Sequence, residues 1–308
     1  MHKRILILAA AVFLLLTNLL VATADDAVDP HILPNFYDFT VPTLIKPSLS
    51  FALRDYPKPY LDHCHTQQNM SLNTANCTYA NAKSKTTIVL FGDSHALSWF
   101  PAIEKLAKYK NWKLISLTMS SCWPADIPAW NPVIAQLMDN CTTWRSQTFD
   151  QIRRLKPQFI FVAGTSGFST ADENGNELEG SAREAAWRAG MKSTLHRLTN
   201  SANKVFYLAD YPSSVSNPID CLKTHKSVKS CVKPLNKALS FGWLQTEHDV
   251  AIESGAIFVD GTEWICQTDP CSPIFDNYLV YRDAGHLTAT FAATLFSPLY
   301  KEIKHNLV

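Results

Sequence analysis

From residue 86 to the C-terminus, the chain alternates short apolar segments with longer segments of helical periodicity. Segments rich in β-branched and aromatic residues predict strands at residues 86–91, 112–117, 158–163, 204–209 and 256–260. Apolar residues that recur every three or four positions predict helices at residues 96–109, 132–155, 176–199, 234–254 and 288–304. Strands that alternate with helices form a parallel sheet with helices on both faces. We therefore predict an α/β fold with a parallel sheet of about five strands.

The first 24 residues show the three parts of a secretory signal peptide. A basic start at residues 2–4 precedes an unbroken apolar run over residues 5–16, and an A-x-A site ends at Ala24. We predict cleavage before Asp25. Residues 5–24 are also long enough to span a membrane, so a retained membrane anchor is the alternative. In both cases the rest of the chain is expected to be extracytoplasmic, either periplasmic or secreted.

Residues 25–85 form a proline-rich segment ahead of the alternating pattern. Proline disfavours regular helices and strands, so we predict an extended N-terminal arm that wraps the rest of the protein. Residues 86–308 are then predicted to form one domain. Within the arm, His63 and His65 flank Cys64 and are expected at the surface, with a metal site as the less favoured alternative.

The net charge and the cysteines indicate which partners and which kinds of site to expect in this protein. A formal net charge of +1, with Lys and Arg scattered along the chain, argues against nucleic acid as a partner. All eight cysteines follow residue 24, as expected for an exported protein. Without a C-x₂-C motif, zinc is disfavoured, and we expect neither a metal nor another cofactor. Sequence leaves the disulfide pairing open, and we expect bonds between nearest neighbours: Cys64 and Cys77, Cys122 and Cys141, Cys221 and Cys231, and Cys266 and Cys271.

The junction between the first strand and its helix carries a candidate nucleophile. Gly92 ends the strand, and Asp93, Ser94 and His95 follow where the helix begins. Open α/β sheets bind ligands at the carboxyl ends of their strands. A helix N-terminus also offers free N–H groups to a developing oxyanion. Asp and Ser are equally good helix caps, so this segment alone does not distinguish a catalytic role from a capping role.

The second half of the candidate site lies ahead of the last predicted helix. Asp283 and His286 are three residues apart, so one turn can bring the carboxylate to the imidazole. A serine becomes a nucleophile when a base takes its proton and an acceptor orients that base. Ser94, His286 and Asp283 can supply these three roles. An acidic helix start beside an exposed histidine is the alternative interpretation of the Asp-x-x-His motif.

These motifs resemble those of the SGNH (GDSL-like) hydrolase superfamily, in particular the extracytoplasmic SGNH domains associated with acyltransferase-3 membrane proteins. The resemblance begins near Cys64 and rests on FGDSHALSW at residues 91–99, SSCWP at residues 120–124, the last cysteine pair, and YRDAGHLT at residues 281–288. It implies a flavodoxin-like three-layer α/β/α sandwich. It also implies that Ser94, Asp283 and His286 form the catalytic triad.

The chain departs from that family at the oxyanion hole, which the family builds from a glycine N–H and an asparagine side chain. Ser121 and Thr165 stand near the matching positions, and together with the Ser94 N–H they are the candidate donors. His95 is interpreted as a supporting or structural group. Trp99 and Trp123 are expected to pack in the core or in loops, with a sugar-stacking platform as the alternative.

The resemblance implies an exported serine-dependent enzyme that acts on acyl esters of carbohydrate through an acyl-serine intermediate. It is either an O-acyltransferase or an O-acetylesterase, acting on cell-surface or envelope polysaccharide. The implied partners are an acylated or acceptor carbohydrate and a membrane acyltransferase-3 protein as acyl donor. A catalytically inactive glycan-binding module on the same scaffold is the alternative.

Overall fold

The computed structural model describes residues 40–68, 77–172, 174–225 and 227–307. The predicted signal peptide and the first part of the predicted arm lie outside the described residues. The strands are β1 (His65–Thr66), β2 (Thr78–Ala80), β3 (Thr87–Gly92), β4 (Lys113–Met119), β5 (Trp130–Asn131), β6 (Gln136–Leu137), β7 (Phe159–Ala163), β8 (Thr170–Ala171), β9 (Glu177–Leu178), β10 (Lys204–Leu208), β11 (Ile257–Val259), β12 (Ile274–Phe275) and β13 (Tyr278–Leu279).

The α-helices vary widely in length. They are α1 (Lys58–Leu61), α2 (Ser94–Ser98), α3 (Phe100–Tyr109), α4 (Asp139–Leu155), α5 (Gly180–Thr199), α6 (Pro218–Thr224), α7 (Leu235–Ala238), α8 (Phe241–Glu253), α9 (Thr262–Ile265), α10 (Ala289–Ala292) and α11 (Phe296–Ile303). Short 3₁₀-helices lie at Ala52–Arg54, Val228–Cys231, Ala293–Leu295 and Lys304–Asn306. None of the helices in the described ranges is both long and apolar enough to cross a bilayer.

The predicted α/β fold is confirmed by a central sheet that is mostly parallel. Its strand order is β1-β4-β3-β7-β10-β11, and β2 pairs with β4 in the antiparallel direction. The five predicted strands are β3, β4, β7, β10 and β11, and each lies within two residues of its predicted bounds. The short strands β1 and β2 extend this sheet beyond the predicted number.

The sheet separates two apolar clusters, as a three-layer sandwich requires. Successive side chains of a strand point to opposite faces, so Ile88 and Leu90 of β3 join one cluster while Val89 and Phe91 join the other. Buried residues of α3 and α11 belong to the first cluster, and buried residues of α4 and α5 belong to the second. The carboxyl ends of β3, β7 and β10 therefore lie at one edge between two helical layers.

Several predicted helices are shorter than expected. The helix predicted at 132–155 begins only at Asp139, because residues 130–137 form the hairpin of β5 and β6 instead. The helix predicted at 96–109 is divided at Trp99, just before Pro101, whose ring favours the first turn of a new helix. The helix predicted at 234–254 is likewise divided into α7 and α8, and that predicted at 288–304 into α10, a 3₁₀ turn and α11.

The described part of the predicted arm is more structured than an extended wrap. It contains α1 and places β1 beside β4 at the edge of the main sheet. His65 is therefore buried rather than at the surface, with Nδ1 3.0 Å from Oγ1 of Thr118. Burial, together with the neighbouring charges, lowers the pKa of His65 to about 3.

All eight cysteines are disulfide-bonded in the nearest-neighbour pattern. The bonds are Cys64–Cys77, Cys122–Cys141, Cys221–Cys231 and Cys266–Cys271. Donor atoms of Cys221, His225 and Cys231 also lie within 4.8 Å of one another, but the two sulfurs of this group are bonded to each other. Four disulfides fit an oxidising, extracytoplasmic environment.

Candidate active site

The turn after β3 requires glycine at position 92. Its φ of +144° is a conformation that side chains rarely allow, and a Cβ here would overlap the carbonyl oxygen of Ala163 on β7. The backbone can therefore turn sharply beside β7 and enter α2. This places Ser94 at the first position of α2, above the carboxyl edge of the sheet.

Asp93 is the N-cap of α2. Its Oδ1 accepts hydrogen bonds from the N–H groups of His95 (2.8 Å) and Ala96 (3.4 Å), and its Oδ2 accepts one from the Thr165 N–H (2.8 Å). Complete burial raises the pKa of this carboxyl group. The capping role and the candidate nucleophile role thus belong to two neighbouring residues, Asp93 and Ser94.

The structure brings Ser94, His286 and Asp283 into one hydrogen-bonded chain. His286 Nε2 lies 2.9 Å from Ser94 Oγ, although the two residues are 192 positions apart. His286 Nδ1 lies 2.9 Å and 3.0 Å from the two oxygens of Asp283. With Nδ1–H donated to the carboxylate, Nε2 is the nitrogen that can accept the serine proton.

The Asp283 carboxylate is held in its charged state. Burial opposes ionisation, but the hydrogen bond and charge of His286, the Arg282 charge and the Gly285 N–H together lower the pKa of Asp283 to about 2. The N–H groups of Gly285 and His286 donate to Oδ1 at 3.0 Å and 2.8 Å. The loop from Asp283 to His286 is thereby closed on its own carboxylate, which fixes the imidazole.

Arg282 also supports Asp283, a role that no sequence motif indicated. Its Nη1 lies 3.7 Å from Asp283 Oδ2. Its guanidinium packs over the rings of Tyr56 and Tyr60, at 4.5 Å and 5.3 Å from their centroids. These contacts tie the predicted arm to the candidate site. The only sequence signal was the position of Arg282 directly before Asp283.

His95 forms a second pair with a carboxylate, that of Asp210 after β10. Nδ1 of His95 lies 2.7 Å from Asp210 Oδ1, and its ring stacks on Tyr211 at 4.9 Å. Burial disfavours a charged imidazole, but the Asp210 charge and hydrogen bond raise the pKa of His95 to about 9. The His95 and His286 rings meet edge to face at 5.4 Å. His95 therefore lies beside the chain of Ser94, His286 and Asp283, and its supporting role stays a prediction.

The candidate oxyanion donors differ in which of their N–H and O–H groups are still available to donate a hydrogen bond. Within the described residues, the Ser94 N–H donates no hydrogen bond. The Thr165 N–H is already donated to Asp93, which leaves only its hydroxyl. Ser121 is exposed and has a φ of +52°. Trp99 and Trp123 are only 0% and 4% exposed, so they pack in the interior and offer no sugar-stacking face.

Comparison with known proteins identifies the family. The chain matches the family described as SGNH domain (fused to AT3 domains) over residues 63–301. Among curated proteins, no match was found.

Solved structures are similar to this chain at low sequence identity. The periplasmic domain of a lipopolysaccharide acetyltransferase from Salmonella ser. Paratyphi A has a TM-score of 0.57 at 14% identity, covering 73% of this chain and 86% of that chain. An acetylxylan esterase from Geobacillus stearothermophilus has a TM-score of 0.42 at 11% identity, covering 73% and 97%. A carbohydrate esterase family 2 enzyme from Myceliophthora fergusii has a TM-score of 0.42 at 16% identity, covering 73% and 67%. Because this match spans more than half of the chain, the chain belongs to the family described as SGNH domain (fused to AT3 domains), which places it among ester-acting enzymes.

Proposed function

We propose that this protein transfers or hydrolyses O-acyl groups of carbohydrate through an acyl intermediate on Ser94. The observation that carries the proposal is the continuous chain from Ser94 Oγ through His286 to the Asp283 carboxylate, with each link at 2.9 Å. A serine hydroxyl, an imidazole and an ionised carboxylate in this order form the arrangement that activates serine for acyl transfer. Membership of the SGNH family supports the same chemistry.

In the first step, His286 Nε2 takes the proton of Ser94 as Oγ attacks the carbonyl carbon of the acyl donor. The charge that develops on His286 is stabilised by Asp283, whose lowered pKa keeps it ionised. The tetrahedral intermediate collapses when the bond to the donor alcohol breaks. His286 returns its proton to that alcohol, and the acyl group stays on Ser94.

In the second step, a hydroxyl group attacks the acyl-Ser94 carbonyl while His286 takes its proton. A sugar hydroxyl gives a new ester, and water gives a free acid. In either case the proton passes from His286 back to Ser94. We assign the Ser94 N–H, at the start of α2, as a donor to the oxyanion in both steps, with the Ser121 and Thr165 hydroxyls as further candidate donors.

We favour a transferase that receives its acyl group from a membrane acyltransferase-3 protein. The family consists of SGNH domains fused to AT3 domains, which supports such a partner. The Salmonella structure with this fold is a lipopolysaccharide acetyltransferase domain, which supports an envelope polysaccharide as acceptor. The four disulfides support an extracytoplasmic location for this reaction.

The test is to react the protein with p-nitrophenyl acetate, and to record both p-nitrophenol release and intact protein mass. We expect a mass increase of one acetyl group that is absent from Ser94→Ala. A stable adduct with slow turnover indicates a transferase, since its natural acceptor is missing. Fast release without a trapped adduct indicates an esterase.

The control is Ser98→Ala, which removes a hydroxyl from the same helix. Ser98 is buried, and its Oγ accepts from the Tyr211 hydroxyl at 2.8 Å and donates a long hydrogen bond of 3.4 Å to the Ser94 carbonyl oxygen. Neither contact involves Ser94 Oγ or His286, so the acetyl adduct should persist in this variant. Equal reaction of the parent protein and Ser94→Ala would contradict the proposal. A glycan-binding module without acyl chemistry would then be the better assignment.

A further inference from the structure

A cavity of about 290 Å³ lies beside the triad and is not explained by the acyl transfer chemistry. His95, the neighbour of Ser94, forms part of its wall, and so do Ala284 and Gly285, which connect Asp283 to His286. The cavity is large enough for one sugar ring and its substituents. A ligand here would lie next to the residues that carry the triad.

The wall of this cavity is rich in hydroxyl groups and carries two cationic side chains. The hydroxyls come from loops after β7 and β10 and from the residue before α8, at Thr165, Ser166, Ser213, Ser214 and Ser240. The cations are His95 and Lys233. Hydroxyl groups and cations together suit a polar ligand of negative charge better than an apolar one.

Asp210 is the carboxylate of this wall, and its oxygens are fully engaged. Oδ1 accepts from His95 Nδ1 (2.7 Å) and the Tyr211 N–H (2.9 Å), while Oδ2 accepts from the N–H and Oγ of Ser166, both at 2.7 Å. Behind it, Glu247 is buried, and burial raises its pKa well above the usual range, which favours the neutral form. The negative charge of Asp210 neutralises the positive charge of His95. The positive charge of Lys233 is then not neutralised by another side chain of this wall.

Lys233 is partly buried without a carboxylate partner. Its Nζ donates to Ser213 Oγ at 2.7 Å and to the Ser214 carbonyl oxygen at 2.9 Å. In the described part of the chain, no carboxylate oxygen lies within 4.0 Å of this ammonium. An ammonium has three N–H bonds, so one remains for a ligand. Burial lowers the pKa of Lys233, which an anion in the cavity would reverse.

Two disulfides hold the segment that carries Lys233. Cys231 lies two residues before it and is bonded to Cys221. The backbone of Lys233 pairs with that of Cys271, with N–H to carbonyl distances of 3.1 Å and 2.8 Å, and Cys271 is bonded to Cys266. The ammonium is therefore fixed at the cavity before any ligand arrives, which reduces the entropic cost of binding.

We propose that this cavity is a binding subsite for a saccharide that carries an anionic group, a carboxylate or a phosphate, with Lys233 as its recognition residue. The inference extends the proposed function, because it names the class of carbohydrate that is placed beside Ser94. The free N–H bond of Lys233 donates a hydrogen bond to the anionic group, and the hydroxyl groups of the wall form hydrogen bonds with the sugar.

The test is calorimetric binding to full-length Ser94→Ala protein, so that the result does not depend on acyl transfer. D-glucuronate, D-glucose 6-phosphate and D-glucose are the probes. We expect an anionic sugar to bind at least about tenfold more tightly than glucose, as a charge-assisted hydrogen bond provides. Binding of glucuronate alone identifies a carboxylate, binding of glucose 6-phosphate alone identifies a phosphate, and binding of both identifies an anion of either type.

The matched variants are Lys233→Gln and Lys237→Gln, which remove the same charge four residues apart. Lys237 is exposed on α7 and does not line the cavity. We expect Lys233→Gln to weaken binding of the anionic sugar about tenfold, Lys233→Arg to restore most of it, and Lys237→Gln to have no effect. Equal affinity for glucose and the anionic sugars, no measurable binding of any probe, or equal losses in Lys233→Gln and Lys237→Gln would overturn the proposal.

Discussion

Two histidine–carboxylate pairs lie side by side at the carboxyl edge of the sheet, and they differ in almost every other respect. The Asp283–His286 pair is local in sequence, and its side chains are 40% and 26% exposed. The Asp210–His95 pair joins residues 115 positions apart, with side chains only 5% and 14% exposed. His286 presents its second nitrogen to Ser94, whereas the hydrogen bond of His95 is made through Nδ1 to Asp210.

This difference indicates a division of labour between the two pairs. A base must gain and lose a proton during each turnover, which requires access to the substrate and a charge that can change. Burial and four hydrogen bonds on Asp210 instead favour one fixed charge state for the His95 pair. We therefore expect the exposed pair to control the reaction rate and the buried pair to control the stability of the site.

The largest expected effect is on the reaction rate of Asp283→Asn. An amide at this position cannot stabilise the charged imidazole and favours the wrong tautomer of His286. Removal of this carboxylate lowers the rate of serine triad enzymes by about 10⁴-fold. We expect a loss of that order in p-nitrophenol release from p-nitrophenyl acetate, with a small change in the free energy of unfolding because Asp283 is substantially exposed.

Asp210→Asn is the matched comparison, since it makes the same chemical change in the other pair. Its rate should fall by about tenfold or less, because Asp210 does not contact the reacting groups. Equal losses of rate in the two variants would show that both pairs take part in proton transfer, and the division of labour would be wrong.

The local pair could be predicted from sequence, and the long-range pair could not. Asp283 and His286 lie within one turn, so their spacing alone indicates contact. Contact between His95 and Asp210 depends on β3 and β10 both flanking β7, a sheet order that no local pattern encodes. Lys233 was missed for the same reason, because a lone lysine in a loop carries no signal until its neighbours are known.

The same distinction applies to the fold. Buried parallel strands such as β3 and β4 are continuous apolar runs, so their position follows from the sequence itself. The hairpin of β5 and β6 was predicted as the start of a helix, because two-residue strands are defined by pairing across the chain rather than by their own periodicity. The edge strands β1 and β2 were missed for that reason too.

The second expected effect is on the stability of Asp210→Asn. This substitution leaves the charged His95 buried without its counter-ion, and breaking a buried ion pair costs about 3–5 kcal/mol. We expect the free energy of unfolding in urea to fall by that amount. Asp283→Asn is the control and should lose much less. Equal stability of the two variants would contradict the assignment of a structural role to the buried pair.

The smallest expected effect is the contribution of the buried pair to the pH dependence of stability. In the folded protein, burial is outweighed by Asp210 and the pKa of His95 is raised from 6.5 to about 9. The resulting stabilisation is fully present below about pH 6.5 and is lost as the pH rises through about 9. The pKa of Asp210 is lowered despite burial, because of its contacts with His95 and Ser166, so its contribution is lost only as the pH falls below about 4.

His95→Gln isolates this effect, because glutamine can still donate a hydrogen bond to Asp210 but carries no charge. We expect the difference in unfolding free energy between the parent protein and His95→Gln to shrink by about 2–3 kcal/mol between pH 6 and pH 9.5. His196→Gln is the control, since His196 is exposed on α5 and its substitution should change stability little at either pH. A difference that stays constant with pH would mean that His95 is neutral in the folded protein. Its contact with Asp210 would then be a hydrogen bond without an opposite charge. The negative charge of Asp210 would in that case offset the positive charge of Lys233 in the cavity wall.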